Sequence, residues 1–254
     1  MKKIKLFVFD LDGTALDSNQ RPYARFSPVF CSFLDEISQE GILWSINSTW
    51  DVDAQWDLVL SSPVQSRPVF LMGGLGKKLA RVGKSEIEMV EEYNSKIQKR
   101  VEKHAKDIVS IMKEMVQEFY PEKIHFYGHL FSFTVIEKET EKLQSYIQNK
   151  ISSIPRTIKL YASKNGVIVT HSFLNKGEIL SKVEKMLNIT PDEVAVAGDS
   201  IFDISMMTKN LARYIICPSN AEKKVKEIAR KNGGVVASKP FYCGVIEGYR
   251  MCQG

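Results

Sequence analysis

Ile4-Lys5-Leu6-Phe7-Val8-Phe9-Asp10-Leu11-Asp12-Gly13-Thr14 is the stretch that sets the fold. Its short apolar run suits a strand buried on both faces, the habit of parallel sheets. The run stops abruptly in Asp-x-Asp-Gly-Thr, which is turn chemistry. In a parallel α/β sheet, ligands gather just beyond the carboxyl ends of the strands. Asp10 and Asp12 therefore stand where chemistry is expected.

Outward from this strand the pattern alternates. Ser27-Pro28 predicts a helix start, an N-cap followed by Pro at the first helical position. Phe30, Phe33, Leu34 and Ile37 share its apolar side, and Gly41 ends it. Ile42–Ile46 predicts a second strand, Val69–Met72 a third. From Ile87 to Phe119 apolar residues recur at steps of three, four or seven, which predicts one or two long amphipathic helices. Two strand pairs follow, one about Gly128-His129 and one at Asn165-Gly166, with a helix near Thr140–Ile151 between them. The alternation then resumes with a helix at Gly177–Leu187, a strand at Val194–Ala197, a short helix at Phe202–Thr208, a strand at Tyr214–Ile216, a helix at Ala221–Lys231 and an edge strand at Val235-Val236. The expected fold is α/β: a doubly wound, Rossmann-like parallel sheet formed by residues 1–74 and 171–254, with residues 75–170 inserted as an α+β cap domain.

Composition narrows the function classes. The chain has 254 residues, 44% hydrophobic and 26% charged, which suits a folded, water-soluble protein. A net charge of +5 spread among acidic residues lacks the dense basic patch of a nucleic-acid binder. No apolar run approaches the roughly 20 residues of a membrane span, and Ile4–Phe9 is too short for a signal sequence. The four cysteines show no metal-ligand spacing, so free thiols in the cytoplasm are expected.

Four expected strand or helix ends carry polar groups: Asp10 and Asp12; Ser48 and Thr49; Gly198-Asp199-Ser200 with Asp203; and Lys176, which opens a helix. Four carboxylates gathered at one sheet edge would repel one another and raise each other's pKa. A hard divalent cation relieves this, and oxygen ligands suit Mg²⁺. Lys176 adds a positive charge for a phosphate oxygen or for Asp10. Ser48 and backbone N–H groups after Asp10 are placed to hold further oxygens, with Thr49 or Asn47 as alternatives to Ser48. Asp10 can then attack phosphorus, and Asp12 can protonate the leaving alcohol and deprotonate the attacking water.

On these residues the sequence resembles the haloacid dehalogenase-like superfamily, on its phosphatase branch. Asp10-Leu11-Asp12-Gly13-Thr14 matches the first motif in full, Ser48 the second, Lys176 the third, and Gly198-Asp199-Ser200 with Asp203 the fourth. Asn220-Ala221 is similar to a further feature of the sugar-phosphatase branch and adds Asn220 as a phosphate contact. The insertion resembles the cap of the Cof-like and sucrose-phosphatase-like subgroup, which closes over the site and selects the substrate. The resemblance implies Mg²⁺ held by Asp10, the Asp12 carbonyl and Asp199, with Asp203 supporting. It also implies a small phosphorylated metabolite as substrate, a sugar phosphate among the candidates.

Three positions depart from the subgroup. Thr49-Trp50 stands where Gly-Arg is usual, Gly73-Gly74 where Asn-Gly is usual, and Phe202 where Asn is usual. The motifs leave open a phosphomutase or phosphotransferase using the same aspartyl phosphate, and a catalytically idle binding protein of the same fold. Trp50 and Trp56 are expected in the core, with Trp50 also able to face the cleft. His104 is expected to be structural, His125 and His129 to be structural or solvent-exposed on a hairpin that is also able to face the substrate, and His171 to lie near the site.

Overall fold

The computed structural model describes residues 3–17, 24–163 and 165–253. In chain order the elements are β1 (Leu6–Phe9), α1 (Pro28–Gln39), β2 (Leu43–Asn47), α2 (Val52–Ser61), β3 (Phe70–Gly73), β4 (Lys78–Val82), β5 (Ile87–Met89), α3 (Glu91–Glu118), β6 (Pro121–Phe126), β7 (Leu130–Val135), α4 (Thr140–Lys150), β8 (Ile158–Ala162), β9 (Gly166–His171), α5 (Lys176–Leu187), β10 (Val194–Ala197), β11 (Tyr214–Cys217), α6 (Lys223–Lys231), β12 (Val235–Val236) and α7 (Phe241–Gln253). They form two compact units, Met1–Asn94 with Asn175–Gly254, and Ser95–Leu174.

The first unit is built on an eight-stranded sheet in the order β12-β11-β10-β1-β2-β3-β4-β5. The strands from β12 to β3 are parallel, and β4 and β5 add antiparallel at one edge. Strand β1 is fully buried, and its alternation divides two cores. Phe7 and Phe9 pack with Phe30, Phe33, Leu34, Val52, Trp56, Val245 and Tyr249, from α1, α2 and α7. Leu6 and Val8 pack with Ile179, Leu180, Val183, Val225 and Ala229, from α5 and α6. Helices therefore cover both faces of the sheet, as parallel strands require. Helix α1 starts as its sequence predicts: Ser27 accepts the Phe30 N–H at 3.1 Å, and Pro28 occupies the first turn.

The second unit is a four-stranded antiparallel sheet in the order β6-β7-β9-β8. Phe131, Phe133, Val135, Val167 and Val169 line one face and bury Ile108 and Met115 of α3, Phe119 just beyond it, and Leu143 and Ile147 of α4. The β8–β9 hairpin forms where Asn165-Gly166 predicts it, although Lys164 in its turn lies outside the described residues.

Several elements differ from expectation. The expected boundary at residue 75 moves to 95, because residues 78–89 make β4 and β5 and extend the first sheet, burying Leu79 and Ala80. The other boundary moves from 170 to 174. Ile87 is consequently a strand residue, and the long helix is a single α3. Residues 202–208 form turns, not a helix. Helices α2 and α7 lay outside the expected pattern. Among the described residues, no helix is long and apolar enough to cross a membrane.

Candidate active site

Strands β10, β1 and β2 are adjacent and parallel, so Asp10, Ser48 and the segment from Gly198 follow neighbouring carboxyl ends. The chain leaves β1 toward β2 on one side, while β10 to β12 lie on the other. This is the topological switch point at which α/β sheets bind ligands.

Asp10 is almost solvent-free, as are Lys176 and Asp203. Lys176 Nζ donates to Asp10 Oδ1 at 2.6 Å and to Asp203 Oδ1 at 2.5 Å. Lys176 is delivered by the first turn of α5, which Asn175 caps by accepting the Glu178 N–H at 2.9 Å. Buried Asn47, at the end of β2, donates to the Lys176 carbonyl at 2.9 Å and ties that turn to the sheet. Asp203 Oδ2 accepts the Asp199 N–H, the Ser200 N–H and the Ser200 hydroxyl at 3.0, 2.9 and 3.1 Å. With both oxygens engaged, Asp203 braces Lys176 and the turn after β10.

The electrostatics follow from burial. Burial pushes the Asp10 carboxyl up; the Lys176 ammonium opposes this, and Asp203 and Asp199 reinforce it. Burial alone would lower Lys176, but the Asp10 and Asp203 carboxylates outweigh it and hold the ammonium above its ordinary value. Asp199 is pushed up to about 7 by burial and then by Asp203, against a hydrogen bond from the Thr14 hydroxyl at 2.9 Å.

Asp10, Asp199 and Asp203 each present a carboxylate oxygen within 4.8 Å of the others. Lys176 neutralises one of three negative charges. An oxygen donor set with uncompensated charge fits a hard divalent cation. Gly13 keeps this space open: its φ is +77°, and a Cβ there would collide with the Asp199 carboxylate.

Sequence expectation placed four carboxylates together; the structure brings three together. The Asp12 side chain is exposed and turned to another partner, accepting the Trp50 indole N–H at Oδ2 over 2.6 Å. Of the two candidate hydroxyls, Ser48 is buried and accepts the Trp50 backbone N–H at 3.2 Å, while Thr49 is exposed. Asn220 meets the turn after β1. Its Nδ2 donates to the Gly13 carbonyl and its Oδ1 accepts the Phe241 N–H, both at 2.7 Å, so its amide braces the β1 loop against the start of α7. His171 belongs to the second unit, where it stacks on Phe173 with ring centroids 4.9 Å apart. The residues that sequence reasoning passed over are Gln55 and, as a polar group, Trp50. The Asp51 N-cap and the helical spacing of Val52, Gln55, Trp56 and Val59 were the available signal for α2.

A sequence model of the haloacid dehalogenase-like hydrolases matches residues 79–240, well over half of the chain. The chain belongs to this family. The match excludes the Asp10 pentapeptide and includes Lys176, Asp199 and Asp203, so the two halves of the site support the assignment separately. No curated protein sequence matches the chain. The sucrose-phosphatase of Synechocystis sp. PCC6803, solved with sucrose and phosphate, superposes with a TM-score of 0.70 at 16% identity, over 100% of this chain and 99% of that one. The Thermoplasma acidophilum protein 0175 superposes at 0.67 and 16%, over 99% of each chain. BT1666 of Bacteroides thetaiotaomicron, described among phosphatases of the superfamily, superposes at 0.63 and 14%, over 98% and 95%. At these identities the likeness speaks for the fold. This haloacid dehalogenase-like hydrolase thus has the α/β core and inserted unit that its motifs imply.

Proposed function

We propose that the protein is a Mg²⁺-dependent phosphatase that hydrolyses a small phosphate monoester, a sugar phosphate or related metabolite, through an aspartyl phosphate on Asp10. The observation that carries this reading is the buried Asp10–Lys176–Asp203 chain beside Asp199 at the switch point of the sheet.

Asp10 attacks phosphorus; the bond from phosphorus to the ester oxygen breaks, and Asp12 gives its proton to the departing alkoxide. Asp12, now a carboxylate, takes a proton from water as that water attacks the aspartyl phosphate. The bond between phosphorus and Asp10 breaks, releasing inorganic phosphate and restoring both residues. Lys176 holds Asp10 in place, and the Ser48 hydroxyl retains a proton to donate to a phosphate oxygen. Asp10, the Asp12 carbonyl and Asp199 would hold Mg²⁺, whose charge would offset that of the phosphate and the carboxylates.

The test is phosphate release from a panel of phosphorylated metabolites with Mg²⁺, with chelator, and with Asp10→Asn. Turnover should disappear with chelator and return with Mg²⁺. Asp10→Asn should lose roughly 10³-fold or more of kcat. Phosphate release by that variant near the parental rate would overturn the nucleophile assignment. Isomerised sugar phosphate in place of free phosphate would overturn the hydrolase assignment.

A further inference from the structure

Two departures from the subgroup pattern meet in one place. Trp50 is 38 residues from Asp12 in sequence, yet its indole N–H donates to Asp12 Oδ2 at 2.6 Å. The indole is partly buried against the apolar core, so its ring has a fixed seat. Its backbone is fixed as well. The Trp50 N–H donates to Ser48 Oγ at 3.2 Å. The Trp50 carbonyl accepts from Gln55 Nε2 and from the Gly74 N–H, each at 3.0 Å. Gln55 is fully buried and donates also to the Met72 carbonyl at 3.0 Å, which anchors the loop to the end of β3.

The glycines complete the seat. A Cβ on Gly73 would come within 2.8 Å of the Trp50 carbonyl and 2.9 Å of the Val52 N–H nitrogen. Neither neighbour can yield, because both are backbone. Gly74 presents its N–H to the same carbonyl from a φ of +60°. Gly73-Gly74 and Trp50 are thus parts of one construction: two glycines let the loop after β2 approach β3, and the loop carries a donor to Asp12.

We infer that Trp50 is a positioning residue for Asp12, holding one carboxylate oxygen so that the other carries the proton exchanged with the leaving group and then with water. This deepens the phosphatase reading and rests on it. A free Asp side chain samples several χ1 and χ2 settings. Tying Oδ2 to a rigid indole removes that freedom and leaves Oδ1 as the transferring atom. Misplacement of a catalytic group by about 1 Å costs on the order of 10²-fold in rate, so the tie matters most where proton donation limits the step.

Trp50→Phe keeps the ring and removes the donor. Two substrates of nearly equal shape separate positioning from general damage: phenyl phosphate, whose leaving group needs protonation, and p-nitrophenyl phosphate, whose leaving group needs little. Trp50→Phe should lower kcat/KM for phenyl phosphate by about 10-fold and for p-nitrophenyl phosphate by less than about 3-fold. In an Asp12→Ala background the same substitution should leave the ratio of the two unchanged. Equal losses on both esters, or a ratio change that persists without Asp12, would overturn the inference. Asp10→Asn, run in parallel, keeps the two readings apart. If it still turns over, the phosphatase reading fails and this inference with it; if it is dead and Trp50→Phe shows no preference, only the inference fails. A readout independent of turnover is available because the chain has three tryptophans. In ¹⁵N-labelled protein, the indole resonance missing from Trp50→Phe should move in Asp12→Ala while the other two stay. An unmoved resonance would also overturn the inference.

Discussion

The two units bury polar groups on opposite terms. The first places Lys176 between Asp10 and Asp203 with almost no solvent, and each charge has a partner at 2.6 Å or less. The second buries His171 completely, with neither ring nitrogen hydrogen-bonded among the described residues. In the first unit a charged network is held against its desolvation penalty, which is the arrangement expected where charge is used chemically. In the second, an imidazole serves as an aromatic surface and stays neutral. The difference separates a unit organised around chemistry from one organised around apolar packing.

The comparison breaks most decisively at Lys176. Lys176→Met fits the volume but leaves two buried carboxylates facing each other without a cation. It should abolish turnover and destabilise the first unit by about 3–5 kcal/mol in urea unfolding with chelator present. Adding Asp203→Asn should recover part of that stability without recovering activity, because it removes one of the two charges. A Lys176→Met protein as stable as the parent would mean that the network is solvated and that the contrast with the second unit is illusory.

What the sequence made legible follows the same division. The Asp10 turn, Lys176 at a helix start and Asp199 with Asp203 were readable because each joins a buried strand or a cap to a polar group within a few residues. The parallel sheet around β1, with helices between its strands, followed from alternation; its strand order did not. The Trp50–Asp12 and Asn220–Gly13 contacts were not readable, since they span 38 and 207 residues and depend on loops meeting beyond the sheet. Residues 202–208 looked helical by apolar spacing. There the Asp203 carboxylate takes the Asp199 and Ser200 N–H groups, and local side-chain bonding of this kind competes with helix. Helix α7 was hidden by Gly244 and Gly248, poor helix formers whose missing side chains allow close packing on Lys239 and Ile216. Strand β5 was hidden because the amphipathic stripe carried by α3 already begins at Ile87, its first residue.

The second unit is tested on its acid side. Burial, then His104 and His129, push His171 down to about 4 from an ordinary value of 6.5. The unfolded chain therefore binds the proton more readily than the folded unit. Stability from this source is present above about pH 6.5 and is lost as pH falls toward 4, amounting to about 1–3 kcal/mol by linkage. His171→Phe should keep the stack on Phe173 and flatten that slope. Amide exchange of Phe133 and Val169, in β7 and β9, reads it directly, since those strands carry the core of the unit. An unchanged slope between pH 4 and 6.5 would show that His171 is hydrated and that the unit is less dry than its burial implies.

The smallest effect tests whether the first unit pairs all of its buried charge. Glu184, on α5, is 6% exposed, and its Oε1 has no hydrogen-bond partner among the described residues. Burial pushes it up to about 7, with Lys185 pulling weakly the other way. The sign is opposite to that of His171. The folded state holds the proton more tightly than the unfolded state, so stability is full below about pH 4.5 and declines as pH rises through 7. Glu184→Gln removes the ionisation but keeps a buried amide, so the gain is limited to about 1 kcal/mol at pH 8, a rise in Tm of roughly 2–4 °C. At pH 4 the variant and the parent should melt together. A gain of equal size at both pH values would assign the effect to packing. A gain at pH 8 alone would identify Glu184 as a site where the first unit behaves as the second does at His171, with a titratable group whose burial outweighs the charge beside it.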